Sequence, residues 1–380
     1  MRGGYLCVFP LAKGSLVKAR IRWFGLAAIG AVALALTLAA CGSSSSSSTS
    51  SSSSSAPSAS SSSSSTSSSS STAPGKNLKV GLVTDIGGLN DRGFNHLAYV
   101  GLQRAEAQLG IKGRVLTSTS NSDYVPNLTT LAQQGYNLII PVGFLMADAT
   151  AAVSKQFPQA KFAMVDSDAT GLAGKPTNVE GLLFEEQQAG YLAGYLAGLY
   201  AKDNGIKAIS SVGGQKIPPV DHYIAGYQAG AKAADPGIST LNGYSQDFVS
   251  QPKCKEIALN QIAQGAKVVF QVAGACGLGA LDAAREKGVQ GIGVDADQSY
   301  VGPFILTSAE KKVDVAVFNA IKAATSGQFS GGQNVLNSIA NGGIGYGKLD
   351  AAGQKYAAQV AKIKADIQSG KISNIPNTVK

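Results

Sequence analysis

Histidine is nearly missing from this chain: His96 and His222 are the only two among 380 residues. A His-based catalytic triad or a histidine metal cluster has little to draw on. No G-x-S-x-G elbow, Walker-type loop or H-E-x-x-H helix occurs either. Charge is sparse, with Asp, Glu, Lys and Arg at 14% against about 25% in ordinary globular chains. No acid precedes Cys41, whereas Arg2, Lys13, Lys18, Arg20 and Arg22 do. Of the formal excess of nine positive charges only four therefore lie beyond that point, with no Lys/Arg block. Nucleic acid is not an expected partner.

The first 76 residues lack the makings of a core. Residues 18–41 read KARIRWFGLAAIGAVALALTLAAC: three positive residues, an Ala/Leu-rich apolar stretch, then small residues. That is the layout of a secretory signal. It ends in Leu38–Ala39–Ala40–Cys41, a lipobox in which a peptidase cuts before Cys41 and Cys41 carries the lipid. About 20 apolar residues would also suffice for a membrane-spanning helix. The position of the Cys and the polar tract that follows favour the lipobox. Residues 42–76 are almost all Ser. They have nothing to bury against the entropy of ordering, and read as a disordered tether with a reach of roughly 30 Å. Cysteine usage agrees with export. Cys7 precedes the lipid site, which leaves Cys254 and Cys276 as a disulfide candidate.

From residue 77 the chain alternates short apolar runs with helical stretches. The strand candidates are 79–84, 112–117, 138–142, 162–165, 208–212, 239–244, 268–272, 291–294 and 304–307. Between them helices are expected over 94–110, 124–135, 147–157, 184–204, 219–234, 254–265, 277–287 and 309–325. Gly110, Gly135, Gly265 and Gly288 fall where helices should stop. This alternation predicts an α/β fold of parallel sheets covered by helices on both faces, closed as one barrel or laid out as two open sheets. Open parallel sheets bind ligands beyond the carboxyl ends of their strands. Those ends carry Asp85, Gly143–Phe144, Asp166, Gly213–Gly214, Phe248, Gly274 and Asp295. Turn chemistry accounts for the glycines and some acids. It does not account for Phe94, Phe144 and Phe248.

Four blocks carry a resemblance: DIGGLNDRGFN (85–95), GQKIPPVDHYIAGYQAGA (214–231), IGVDADQ (292–298) and ILTSAEKKVD (305–314). With these in order, the chain resembles the basic membrane protein family of substrate-binding lipoproteins, which includes bacterial purine nucleoside receptors of ABC importers. The resemblance covers essentially all of 78–350. It implies the type I periplasmic-binding-protein fold, two doubly wound parallel-sheet lobes joined by three crossings. The expected division is 77–184 with 299–330 for the first lobe and 185–298 with 331–380 for the second.

The same resemblance implies site roles. Phe94 would stack on one face of a base and Phe248 on the other, although Val249 stands where relatives usually carry an acid. Asn95 would reach the base edge. Asp85 ends the first strand and is a ligand candidate, while Asn90 and Asp91 serve equally well as caps of the helix that follows. Asp166 or Asp295 would accept the ribose hydroxyls, with Asp295 favoured. Gly274 belongs to the cleft loop and Lys311 matches a family lysine. A Cys254–Cys276 link would tie a helix start to that loop. The expectation is a lipid-anchored, extracytoplasmic protein that is not an enzyme and needs no cofactor or metal. It would capture a small neutral ligand, most simply a purine nucleoside, by lobe closure and deliver it to an ABC permease. A sugar or other small signal in the same fold, or a sensor not coupled to transport, is the alternative.

Overall fold

A run of buried β-branched and aliphatic residues with no polar face is what a strand covered by helices on both sides requires. The first strand, β1 (Lys79–Ile86), is of this kind: all residues from Val80 to Asp85 are buried. The computed structural model describes residues 77–379. The signal, Cys41 and the serine tract lie outside the described residues.

The chain continues with α1 (Phe94–Leu109), β2 (Lys112–Ser118), α2 (Tyr124–Gln133), β3 (Leu138–Pro141), α3 (Ala147–Gln156), β4 (Lys161–Val165) and β5 (Val179–Phe184). Next come α4 (Glu186–Asp203), β6 (Ala208–Gly213), α5 (Pro218–Ala234), β7 (Ser239–Tyr244), α6 (Gln251–Ala263) and β8 (Ala266–Val272). The rest is α7 (Gly274–Glu286), β9 (Gln290–Asp295), β10 (Ile305–Lys311), α8 (Val313–Thr325), β11 (Asn334–Asn337), β12 (Ile344–Tyr346) and α9 (Ala357–Gln368). Among the described residues these strands form two open sheets, ordered β2-β1-β3-β4-β5-β11 and β7-β6-β8-β9-β10-β12. Every pairing is parallel except β10 with β12. The barrel alternative is thereby excluded. Both sheets are doubly wound, with order reversing between β1 and β3 and between β6 and β8, the crevices where such sheets hold ligands.

The chain passes between the lobes three times. It leaves the first sheet after β5 and enters α4, which packs on α5 so closely that a Cβ on Gly194 would stand 2.0 Å from the Tyr227 carbonyl oxygen. It returns after β10 into α8, which packs on α1 with Gly101 against the Asp314 carbonyl. It crosses a last time between β11 and β12.

The expected lobe boundaries therefore need correction. Residues 305–311 belong to the second sheet, not the first, because β10 stays extended through Ala309–Lys311, paired with both β9 and β12. The helix expected from residue 309 begins only at Val313. Residues 334–337 belong to the first sheet, where β11 pairs with β5.

Candidate ligand-binding site

The carboxyl ends of both sheets face one interlobe cavity of about 610 Å3, counting the solvent-open space at its mouth. Asp85, Asp91, Phe94, Asn95, Asp166, Phe248, Gly274, Asp295 and Lys311 all line it. Asn90 does not. It is exposed and borders a separate outer hollow beside Arg92 and Tyr300, so the ligand candidacy of Asn90 finds no geometric support.

Asp91 lines the cavity but is occupied. Its Oδ1 accepts from the N–H of Gly93 and of His96, both at 3.1 Å, and Oδ2 accepts from Asn95 N–H at 2.7 Å. It caps the first turn of α1, which places Phe94 at the helix start with its ring toward the cavity. Asn95 is partly occupied too, since its Oδ1 accepts from the backbone N–H of Asp85 at 2.8 Å.

Asp85 and Asp295 share a pattern. The Tyr124 hydroxyl donates to Asp85 Oδ1, and the Tyr223 hydroxyl donates to Asp295 Oδ1 at 3.1 Å. Among the described residues no donor reaches either Oδ2 within hydrogen-bond geometry. Each lobe thus presents one carboxylate fixed by one oxygen. Burial pushes both carboxyls up to about 6, opposed at Asp85 by the Tyr124 hydrogen bond and at Asp295 by the charge of Lys311.

Lys311 is fully buried, 2.6 Å from Asp166 and 2.9 Å from Glu186. Burial alone would lower its ammonium, but Asp166, Glu186 and Asp295 together raise it, so it stays charged. Burial pushes Asp166 up to about 7 against the pull of Lys311. Burial would raise Glu186 as well, yet Lys311 and His222, whose Nδ1 lies 3.0 Å away, hold it below its usual range. The ammonium also sits 5.1 Å from the Phe94 ring centroid and 4.7 Å from that of Phe184, within cation–π reach.

Phe248 is seated on Gly214, where an added Cβ would stand 2.2 Å from the ring. Its carbonyl accepts from Cys276 N–H at 3.0 Å. Cys276 is joined to Cys254 by a disulfide with 5.6 Å between the Cα atoms, which fastens α6 to the first turn of α7. Val249, the departure beside Phe248, is exposed and donates its N–H to Asp247 Oδ1 at 2.8 Å.

Sequence reading singled out Phe144 at its strand end without giving it a role, and it missed Tyr223 in the lining and Tyr124 and Glu186 behind it. Pro219, Val220 and Tyr223 all line the cavity from the start of α5, and their i, i+1, i+4 spacing puts them on one helix face, a signal that was available. Glu186 was hidden by its position, since an acid opening a helix has an ordinary explanation in the helix dipole.

Two doubly wound lobes, three crossings and an interlobe cavity at the strand ends define a solute-binding protein of the periplasmic type. The chain belongs to the Bmp family, ABC transporter substrate-binding protein PnrA-like, which it matches over residues 78–377. It is 34% identical over 319 residues to the ABC transporter nucleoside-binding protein BmpA of Lactococcus lactis, covering 78% of this chain and 89% of that one. An uncharacterized lipoprotein of Pyrococcus horikoshii is 35% identical over 304 residues, 76% of this chain and 74% of the relative. Among solved structures, an ABC transporter solute-binding protein from Aeropyrum pernix superposes with a TM-score of 0.70 at 27% identity, covering 79% of this chain and 94% of that one. One from Conexibacter woesei gives 0.65 at 26%, covering 80% and 100%.

Proposed function

We propose that this substrate-binding protein captures a purine nucleoside, closes its lobes over it and hands it to an ABC permease from the outer face of the membrane, where Cys41 carries the lipid anchor. The observation that carries the reading is the pairing across the cavity: each lobe supplies one phenylalanine, Phe94 or Phe248, and one carboxylate with a free oxygen, Asp85 or Asp295. Two rings suit the faces of a flat base. A carboxylate suits a ribose diol or a base N–H, because it accepts from donors and offers none when ionised. The acids around Lys311 outnumber it, which favours a neutral ligand over a phosphorylated one. The nucleoside-binding name of the Lactococcus lactis relative and the lipoprotein name of the archaeal one point the same way.

The test is calorimetry on protein unfolded and refolded to strip carried-over ligand, titrated with nucleosides, nucleoside monophosphates, sugars and amino acids. Heat from purine nucleosides, with the monophosphates weaker, is the expected result. Heat only from a sugar would overturn the ligand assignment. Phe94→Ala should weaken nucleoside binding by about 1–3 kcal/mol, the usual worth of a base stacked on a ring. For the anchor, Cys41→Ala should release the protein from membranes into the soluble fraction.

A further inference from the structure

Tyr124 opens α2 and is only 2% exposed. It does not line the cavity, so it reaches a ligand only through another residue. Its hydroxyl donates to Asp85 Oδ1, which also accepts from Ile86 N–H at 2.7 Å. Asp85 Oδ2 takes no hydrogen bond from the described residues. Beside it lies Gly143 at φ +116, where a Cβ would stand 2.5 Å from that oxygen. The glycine leaves Oδ2 open while the tyrosine holds Oδ1.

We propose that Tyr124 is a positioning residue for ligand capture: by holding Asp85 Oδ1 it presents Oδ2 to an N–H or O–H of the ligand and keeps the carboxylate in its ionised, accepting form. The choice of probe rests on the nucleoside reading above. The phenol is suited to this role. Burial, then the charge of Asp85, raises its proton affinity, so it remains a donor at any ordinary pH. Burial drives the Asp85 carboxyl up to about 6, and the Tyr124 hydrogen bond is the largest influence against it. The other charged neighbour is Asp91, from the loop before α1, which pushes in the same direction as burial. Asp123, next to Tyr124 in the chain, acts on the phenol rather than on the carboxyl. Asn95 of α1 and the Gly143–Phe144 loop bring no titrating group.

Tyr124→Phe keeps the ring and removes only the donor. Two readouts test it. One is the affinity for inosine and guanosine between pH 5 and 8.5. The other is the titration of the Asp85 carboxyl carbon by NMR in the ligand-free protein. In the native protein, binding should weaken as pH falls through about 6. In Tyr124→Phe both midpoints should rise by about one pH unit, the size expected for loss of a hydrogen bond to a charged group. In an Asp85→Asn background the tyrosine change should leave the binding midpoint where it was. Unmoved midpoints in Tyr124→Phe overturn the proposal. If the native protein binds neither nucleoside, the nucleoside reading falls, and the carboxyl titration alone decides the role of Tyr124. Should Tyr124→Phe not fold, 3-fluorotyrosine placed at position 124, a stronger donor of nearly the same size, should move the midpoint down, and no movement overturns the proposal.

Discussion

Asp85, Asp166 and Asp295 each stand at the end of a strand and each is more than nine-tenths buried by residue surface. Asp166 and Asp295 also hold left-handed backbone, at φ +66 and +61, a conformation that costs a non-glycine residue on the order of 1 kcal/mol. Strain, burial and unfilled oxygens gather at one locus, the combination expected where stability is traded for function. A consequence follows for Asp85. Its folded carboxyl lies at about 6 and its ordinary value is 3.8, so the folded state binds the proton more tightly than the unfolded one. Stability from this group is therefore gained as pH falls through 6 toward 4, and lost as pH rises. Asp85→Asn removes the buried charge and should make the ligand-free protein more stable at pH 8 by on the order of 1–3 kcal/mol. The advantage should fall to about half near pH 5 and vanish only below about pH 4, as read by urea denaturation, while nucleoside affinity drops at pH 8. The rings and strand-end acids of this site were legible because turns and caps do not call for phenylalanine there. Asn90 and Asp91 were not separable from sequence, since both are good capping residues. Only the fold shows that Asp91 caps and Asn90 faces outward.

Among the elements, the α4–α5 pair is packed through glycine. Gly190, Gly194 and Gly198 of α4 meet the backbone of α5, and Gly226 and Gly230 of α5 meet the backbone of α4. A Cβ at Gly190 or Gly226 would stand 2.1 Å from a carbonyl oxygen of the partner helix. The close approach sets Tyr223 and His222 of α5 over Asp295 and Glu186. Gly194→Ala would drive a methyl group into the Tyr227 carbonyl and should cost about 1–3 kcal/mol by forcing the helices apart. The drop would be measured in the denaturation midpoint, with weakened ligand binding as its companion. Sequence reading recovered the aliphatic strands such as β1, β3 and β8, and also β2 and β7, whose runs are short and mixed but bounded by helical stretches on both sides. It missed β5, β11 and β12. In β11 the residues Asn334–Asn337 include exposed Val335 and Leu336 at a sheet edge, so no inward alternation announces the strand. In β10 the run TSAEK has the composition of a helix start, and its extended form comes from pairing on both sides, a tertiary cause that local propensity does not contain.

Across the whole molecule, Lys311 is the one buried cation that acids of both lobes hold among the described residues. Asp166 follows β4 of the first sheet, Glu186 begins α4 on the second lobe, and Lys311 itself stands one residue before a crossing. Lys311→Met would leave Asp166 and Glu186 facing each other without a cation and should cost about 3–5 kcal/mol at pH 7.5, the range for breaking a buried pair from one side. The deficit should shrink toward pH 5 as a carboxyl takes up a proton, a pattern that a simple packing defect would not produce. Thermal melts of both proteins across that range would check it.

The three crossings also bear on the order in which the protein is made. The edge strand β11 of the first sheet pairs with β5 roughly 150 residues earlier, as in Asn334 with Gly181. The second sheet ends on β12, at Ile344–Tyr346. Neither lobe is one continuous stretch of chain, so neither can close its sheet while the ribosome is still short of the last elements. Domains that are contiguous in sequence fold one after another as they emerge. Here the first sheet lacks its edge strand until residues 334–337 have been made, and the second lacks its own until residues 344–346 follow.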